Sequence, residues 1–110
     1  MNIQRIRTAG HAGAEHRVLG DLAAMDGAAG AWRALEARAA DPLTYFQTYD
    51  WCRRWMEAFG GAHCRPAVQT LWHGDRLVAL WPLMLRGNGL RRLEALGAPH
   101  TQYTNLLVDP

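Results

Sequence analysis

The spacing of apolar positions along this chain changes from a helical to a strand-like period near residue 65. Before that point the clearest signal lies at residues 48–59. Trp51, Trp55 and Phe59 recur at i, i+4 and i+8 with Cys52 and Met56 alongside, while Arg53, Arg54 and Glu57 lie off the stripe. That pattern places one apolar stripe on a helix, and helical spacing by itself favours core over a ligand platform. Thr48 or Asp50 can cap its start, and Gly60-Gly61 can supply a left-handed ending. Upstream, Trp32, Leu35 and Ala39 keep helical spacing in an Ala-rich stretch. Gly27 and Gly30 weaken its first half, so the predicted helix runs from Ala31 to Ala40 and Asp41-Pro42 ends it. A short strand, Arg17 to Leu19, precedes it. Residues 1–15 are Gly/Ala/Arg-rich and unpatterned, which predicts a loosely ordered leader ahead of a domain over residues 16–110.

Downstream, two β-rich runs flank His73-Gly74-Asp75 and read as a hairpin. The second run, Leu77 to Leu85, is apolar at almost every position, which predicts a central strand covered on both faces, with Trp72 and Trp81 in the core. Pro82 has no N–H for a ladder, so a bulge or an unpaired side is expected there. Asn88-Gly89 marks a second turn. Leu90, Leu93 and Leu96 alternate imperfectly in a third strand, and Leu106-Leu107-Val108 form a fourth. Helices followed by an antiparallel strand meander give the α+β class. A strand covered on both faces would need one layer more than these elements supply, so the chain reads as truncated.

Composition narrows this picture little. The apolar share is 49%, charged residues make up 20%, and the net charge is +2. That is a globular balance, without the clustered basic stripe of a nucleic-acid partner. Cys52 and Cys64 match no zinc spacing and make no disulfide framework. No stretch approaches the length of a membrane span, and the N-terminus lacks the apolar segment of a signal peptide. A cytoplasmic location is expected.

Candidate chemistry is sparse. Arg7 to Ala12 fits R-x-x-G-x-A, the form of an acetyl-CoA pyrophosphate loop, but that loop needs a helix immediately after it. The five histidines show no metal-ligand spacing. There is no serine, which removes the serine hydrolases; a Cys64 nucleophile with His100 as base remains open. The segment from Pro99 to Asn105 stands out. His100, Gln102, Tyr103 and Asn105 crowd polar groups onto a connection beside a core strand, a favoured place for binding residues. In an extended backbone Tyr103 and Asn105 share one face.

Three stretches, "FQTYDWCRRWMEAFG", "RLVALWPLMLRGNGLRRLEALG" and "APHTQYTNLLVDP", in this order resemble the N-terminal half of GNAT-like acyltransferases of the FemAB and cellulose-biosynthesis (CelD-like) group. The resemblance covers about Trp32 to Pro110. It implies a GNAT-like half-fold, a chain about three times longer, and a second GNAT-like half of the same chain as partner. It places the acyl-CoA site in that second half, so this part binds no cofactor; acetyl-CoA or another acyl-CoA belongs to the whole enzyme. The spacing of histidines and cysteines, for its part, gives no metal site. The segment carrying His100, Gln102, Tyr103 and Asn105 would then face a cleft for a small-molecule or glycan-related acceptor. Asn105 stands where the group usually has an acid, and asparagine cannot act as a general base. The expected activity is N-acyl transfer from a thioester to an amine; the alternative is a non-catalytic interaction domain that keeps the half-fold.

Overall fold

The computed structural model describes residues 4–6, 13–39, 42–100 and 106–110. It is an α+β fold with three α-helices and two antiparallel sheets. Strands β1 (Gln4–Ile6) and β2 (Ala14–Leu19) pair with each other. Helices α1 (Leu22–Gly27) and α2 (Ala29–Ala39) follow, then a 3-10 turn, Pro42–Gln47, and α3 (Tyr49–Phe59). The remaining strands are β3 (Cys64–Pro66), β4 (Val68–His73), β5 (Arg76–Trp81), β6 (Leu83–Arg86), β7 (Arg92–Ala95) and β8 (Leu107–Val108). The five-stranded sheet runs β1-β2-β4-β5-β8 and the three-stranded sheet β3-β6-β7.

The run expected as one central strand is divided. β5 ends at Trp81 and β6 begins at Leu83, with Pro82 between them. Yet one register continues across the gap: Pro66 faces Met84 and Gln69 faces Trp81. β3–β4 and β5–β6 are therefore the two arms of one bent hairpin, turning at Gly74-Asp75. Pro82 lacks the N–H that would keep its arm in the larger sheet, so the arm changes neighbours there, from β8 to β7. Near the tip a bulge adds one residue to β5, because Leu71 faces Ala79 while Trp72 faces Leu77. The extra residue, Val78, brings Leu77 and Leu80 onto the same face although they are three apart.

The inner row of this hairpin is the floor of the core. Cys64, Pro66, Val68, Thr70 and Trp72 alternate along one arm, and Leu77, Leu80, Pro82 and Met84 answer along the other; all are buried. The single buried polar side chain among them is satisfied: Trp72 Nε1 donates to Thr70 Oγ1 (2.7 Å), which donates to the Arg17 carbonyl (2.6 Å). The opposite face, carrying Leu71, Ala79, Trp81, Leu83, Leu85 and Leu93, is only partly shielded. Trp81 is 40% exposed and Leu93 58%. The expectation of burial on both faces, with Trp81 in the core, is thus corrected. The near-continuous apolar run reflects a strand that alternates, slips by one residue at Val78 and bends at Pro82.

The helices lie on the inner row. The break between α1 and α2 falls at Ala28, just after Gly27, and Asp21 caps α1 through Ala24 N–H (2.7 Å). The weakened first half of the predicted helix is thus a separate short helix. α2 buries Trp32 and Leu35 fully, and Trp32 Nε1 donates to the Gln47 carbonyl at 2.8 Å. Tyr49 meets Trp32 edge-on, with centroids 5.6 Å apart. The end of α3 differs from expectation: Gly60 is extended, at φ −74° and ψ 160°. Glycine is needed there for closeness, since a Cβ would strike the Met56 carbonyl and come within 2.9 Å of Met56 Cε. Among the described residues no helix is long and apolar enough to cross a membrane.

The C-terminal strand is held by charge. Asp109 accepts from Arg38 Nε of α2 (3.1 Å) and from Arg76 of β5 (Nη2 at 2.7 Å). Arg38 also donates to the Leu77 carbonyl beside the bulge (2.6 Å). Hydrogen bonding by Arg76, then by Arg38, holds the Asp109 carboxyl below its ordinary range. A carboxyl depressed in the folded state stabilises it above the unfolded pKa, about 4, and that contribution disappears as pH falls through the lower folded pKa. Asp109→Asn is therefore expected to lower the melting temperature at pH 7 and to flatten its fall below pH 4. Melting curves from pH 7 to pH 2 check this. A mutant whose acid limb is as steep as the wild type's would remove Asp109 from the account.

Candidate functional site

α3 begins under two caps. Thr48 Oγ1 accepts the Trp51 N–H (3.3 Å), and the Glu36 carboxylate, reaching across from α2, accepts the Tyr49 N–H (2.8 Å). Both neutralise donors that a helix N-terminus leaves unpaired. Burial pushes the Glu36 carboxyl above its ordinary range, and the Tyr49 N–H pulls the other way. Arg33 pairs with Asp50 (2.7 Å) and lies over the Tyr49 ring at 4.8 Å. Arg53 and the Tyr49 hydroxyl both donate to Asp26 of α1, fixing α3 against it.

Where α3 meets the end of α2 and the 3-10 turn, an open groove of about 500 Å³ runs along the helix. Trp51, Trp55, Phe59 and Tyr45 form its apolar wall; Glu36, Asp50 and Arg54 add charge. Trp51, Trp55 and Phe59 are the stripe that helical spacing assigned to core; the structure buries Trp55 together with Cys52 and Met56 and adds Tyr49, but leaves the two ends of the stripe outside. Phe59 is 56% exposed and Trp51 half-buried. Phe59 is the last residue of α3, so it overhangs the layer beneath.

Trp55 belongs to both environments. Its ring is nearly buried, and its Nε1 donates to Nδ1 of His100 at 3.0 Å. An indole N–H only donates, so His100 Nδ1 carries a lone pair, and the neutral ring holds its proton on Nε2. Phe59 lies 5.3 Å from the imidazole centroid and 4.9 Å from the Trp55 ring. Arg86 of β6 lies over the Trp55 ring at 5.9 Å. His100 is delivered by a turn that follows β7. Leu96 N–H bonds the Pro82 carbonyl (3.1 Å), His100 N–H bonds the Gly97 carbonyl (2.7 Å), and the Ala98–Pro99 peptide is cis.

Of the residues singled out in the sequence, His100 is thus beside the aromatic wall. Gln102, Tyr103 and Asn105 lie outside the described residues, as does the R-x-x-G-x-A stretch. The element that follows that stretch is the strand β2, not the helix a pyrophosphate loop requires. Cys64 and His100 are each engaged elsewhere: Cys64 Sγ is buried against Met84 Sδ (3.7 Å) and His100 accepts from Trp55. Burial pushes the Cys52 thiol far up, leaving it a small hydrophobe. Among the described residues no cluster of His, Cys, Asp and Glu could hold a metal ion. Glu36 and the groove escaped the sequence reading, because a cap supplied from another helix leaves no local signature.

No family model, curated protein or solved structure matches this chain.

If Phe59 is groove wall and Met56 is core, the two truncations differ in cost. Phe59→Ala is expected to cost about 1 kcal/mol, the value of an aromatic contact. Met56→Ala, at a fully packed position, is expected to cost about 2–5 kcal/mol. Urea denaturation of both variants decides it, and the reverse order would return Phe59 to the core.

Proposed function

We propose that this domain forms the acceptor-binding part of a GNAT-like N-acyltransferase, which moves an acyl group from a thioester to an amine. The observation that carries the reading is the Trp55–His100 hydrogen bond. It joins the polar segment expected to face the acceptor to an aromatic groove with carboxylates at one end. Aromatic faces beside Glu36 and Asp50 suit an ammonium group. The second GNAT-like half would carry the acyl-CoA site, with backbone N–H groups stabilising the oxyanion as the amine attacks the thioester carbonyl. That half also gives the partly bare outer face of the sheets something to pack against. The same bare face favours the second reading, a non-catalytic interaction domain with this half-fold.

Two titrations separate the readings. Calorimetry of residues 1–110 with acetyl-CoA is expected to show no tight binding. Titration of the chain with a primary alkylammonium salt is expected to shift the indole N–H resonances of Trp51 and Trp55, where the corresponding alcohol does not. Trp51→Ala should weaken the amine by about 1 kcal/mol, roughly fivefold. Tight binding of acetyl-CoA would overturn the placement of the donor site. Indoles indifferent to amine would leave the interaction domain as the better reading.

A further inference from the structure

A second pocket, of about 440 Å³, shares Phe59 with the aromatic groove but has different chemistry. It lies between the turn that follows α3 and the end of β6. His63, Arg86 and Asn88 supply its polar side chains, and no carboxylate of a described residue lines it. Its two sides are tied together, since Gly87 N–H donates to the His63 carbonyl at 3.0 Å. The loop bearing Asn88 depends on glycine: Gly87 has φ +140°, and a Cβ there would collide with the Leu90 carbonyl.

The charge around this pocket is one-sided. On the pocket's side of the three-stranded sheet the register places Arg86 and Arg92 with Glu94, which pairs with Arg92 at 3.5 Å, and Arg91 stands in the adjoining β6–β7 connection. Arg92 stands directly opposite Arg86 in the register, so neighbouring strands place two guanidinium groups on one face. Five arginines elsewhere in the fold, Arg17, Arg33, Arg38, Arg53 and Arg76, each have a carboxylate within 3.1 Å. Arg86 is steadied by the Trp55 ring instead, and a cation–π contact leaves the guanidinium N–H donors available.

We propose that this pocket binds a phosphate group carried by a small molecule. Donor side chains from three places line it: His63 from the turn after α3, Arg86 from the end of β6 and Asn88 from the loop that follows. The three terminal oxygens of a phosphate monoester can meet three such donors, whereas a carboxylate offers two oxygens in one plane. Excess positive charge on the adjoining strands would draw a dianion in preference to a monoanion. The inference stands independently of the acyltransferase reading, because it uses neither the groove nor the segment beyond His100.

The test is an amide-resolved NMR titration of the chain with inorganic phosphate and with glycerol phosphate, against sodium acetate and sodium chloride at matched ionic strength. Both phosphates are expected to shift the amides of Ala62 to Cys64 and of Gly87 and Asn88, with acetate and chloride leaving them in place. Tighter binding of glycerol phosphate would identify an ester as the ligand; equal binding would identify the free ion as sufficient. Arg86→Gln is expected to raise the dissociation constant at least tenfold. Arg91→Gln removes the same charge outside the pocket and is expected to change it less than twofold. His63→Gln, at an exposed position, should raise it at least threefold, and it carries the test if Arg86→Gln unfolds. Absent shifts, equal shifts with chloride, or equal effects of Arg86→Gln and Arg91→Gln would overturn the proposal.

Discussion

Everything in this fold rests on one row of side chains. The inner face of the bent hairpin from Cys64 to Arg86 keeps a single register past Pro82, and a one-residue bulge at Val78 shifts the alternation near the tip so that Leu77 joins the row. Burying that row is the main driving force available to the chain, because apolar area removed from water dominates folding. α2 and α3 must lie on it, and their inner faces are chosen accordingly: Trp32 and Leu35 from one, Cys52 and Met56 from the other. What α3 does not commit to the row is left to form a groove.

A second constraint follows from the first. Laying α3 on the hairpin buries the Trp55 ring, and a buried indole N–H needs an acceptor. His100 provides it, and the turn after β7 is thereby drawn against α3. The same ring steadies Arg86 on its other side. One tryptophan thus links the core, the aromatic groove and the basic pocket. The two sites differ in sign because they face different elements: the groove opens toward the capped start of α3, the pocket toward the arginine-bearing strands.

The sequence made much of this architecture legible. The start of α3 near Thr48 or Asp50 and its end before Gly60, the Gly74-Asp75 turn and the unusual role of Pro82 could all be read from local chemistry. What failed was whatever depended on relations between distant elements. Phe59 satisfies helical periodicity perfectly, yet it overhangs its layer, and periodicity does not report where a layer stops. Trp81 sits in an apolar run, but a bulge three residues earlier decides which way the strand faces. Glu36 caps a helix thirteen residues away, and Cys64–Pro66 is a strand too short and too polar to announce itself. Of the polar segment, His100 alone is placed, through a partner 45 residues earlier in the chain.

The link between core and site can be measured directly through nitrogen-15 resonances of the His100 ring and hydrogen exchange of the Trp55 indole. With the imidazole neutral, Nδ1 is expected to be unprotonated and hydrogen-bonded, and the Trp55 indole proton to exchange slowly until His100→Ala releases it. A proton on Nδ1, or an indole that exchanges as freely before the substitution as after it, would contradict the account.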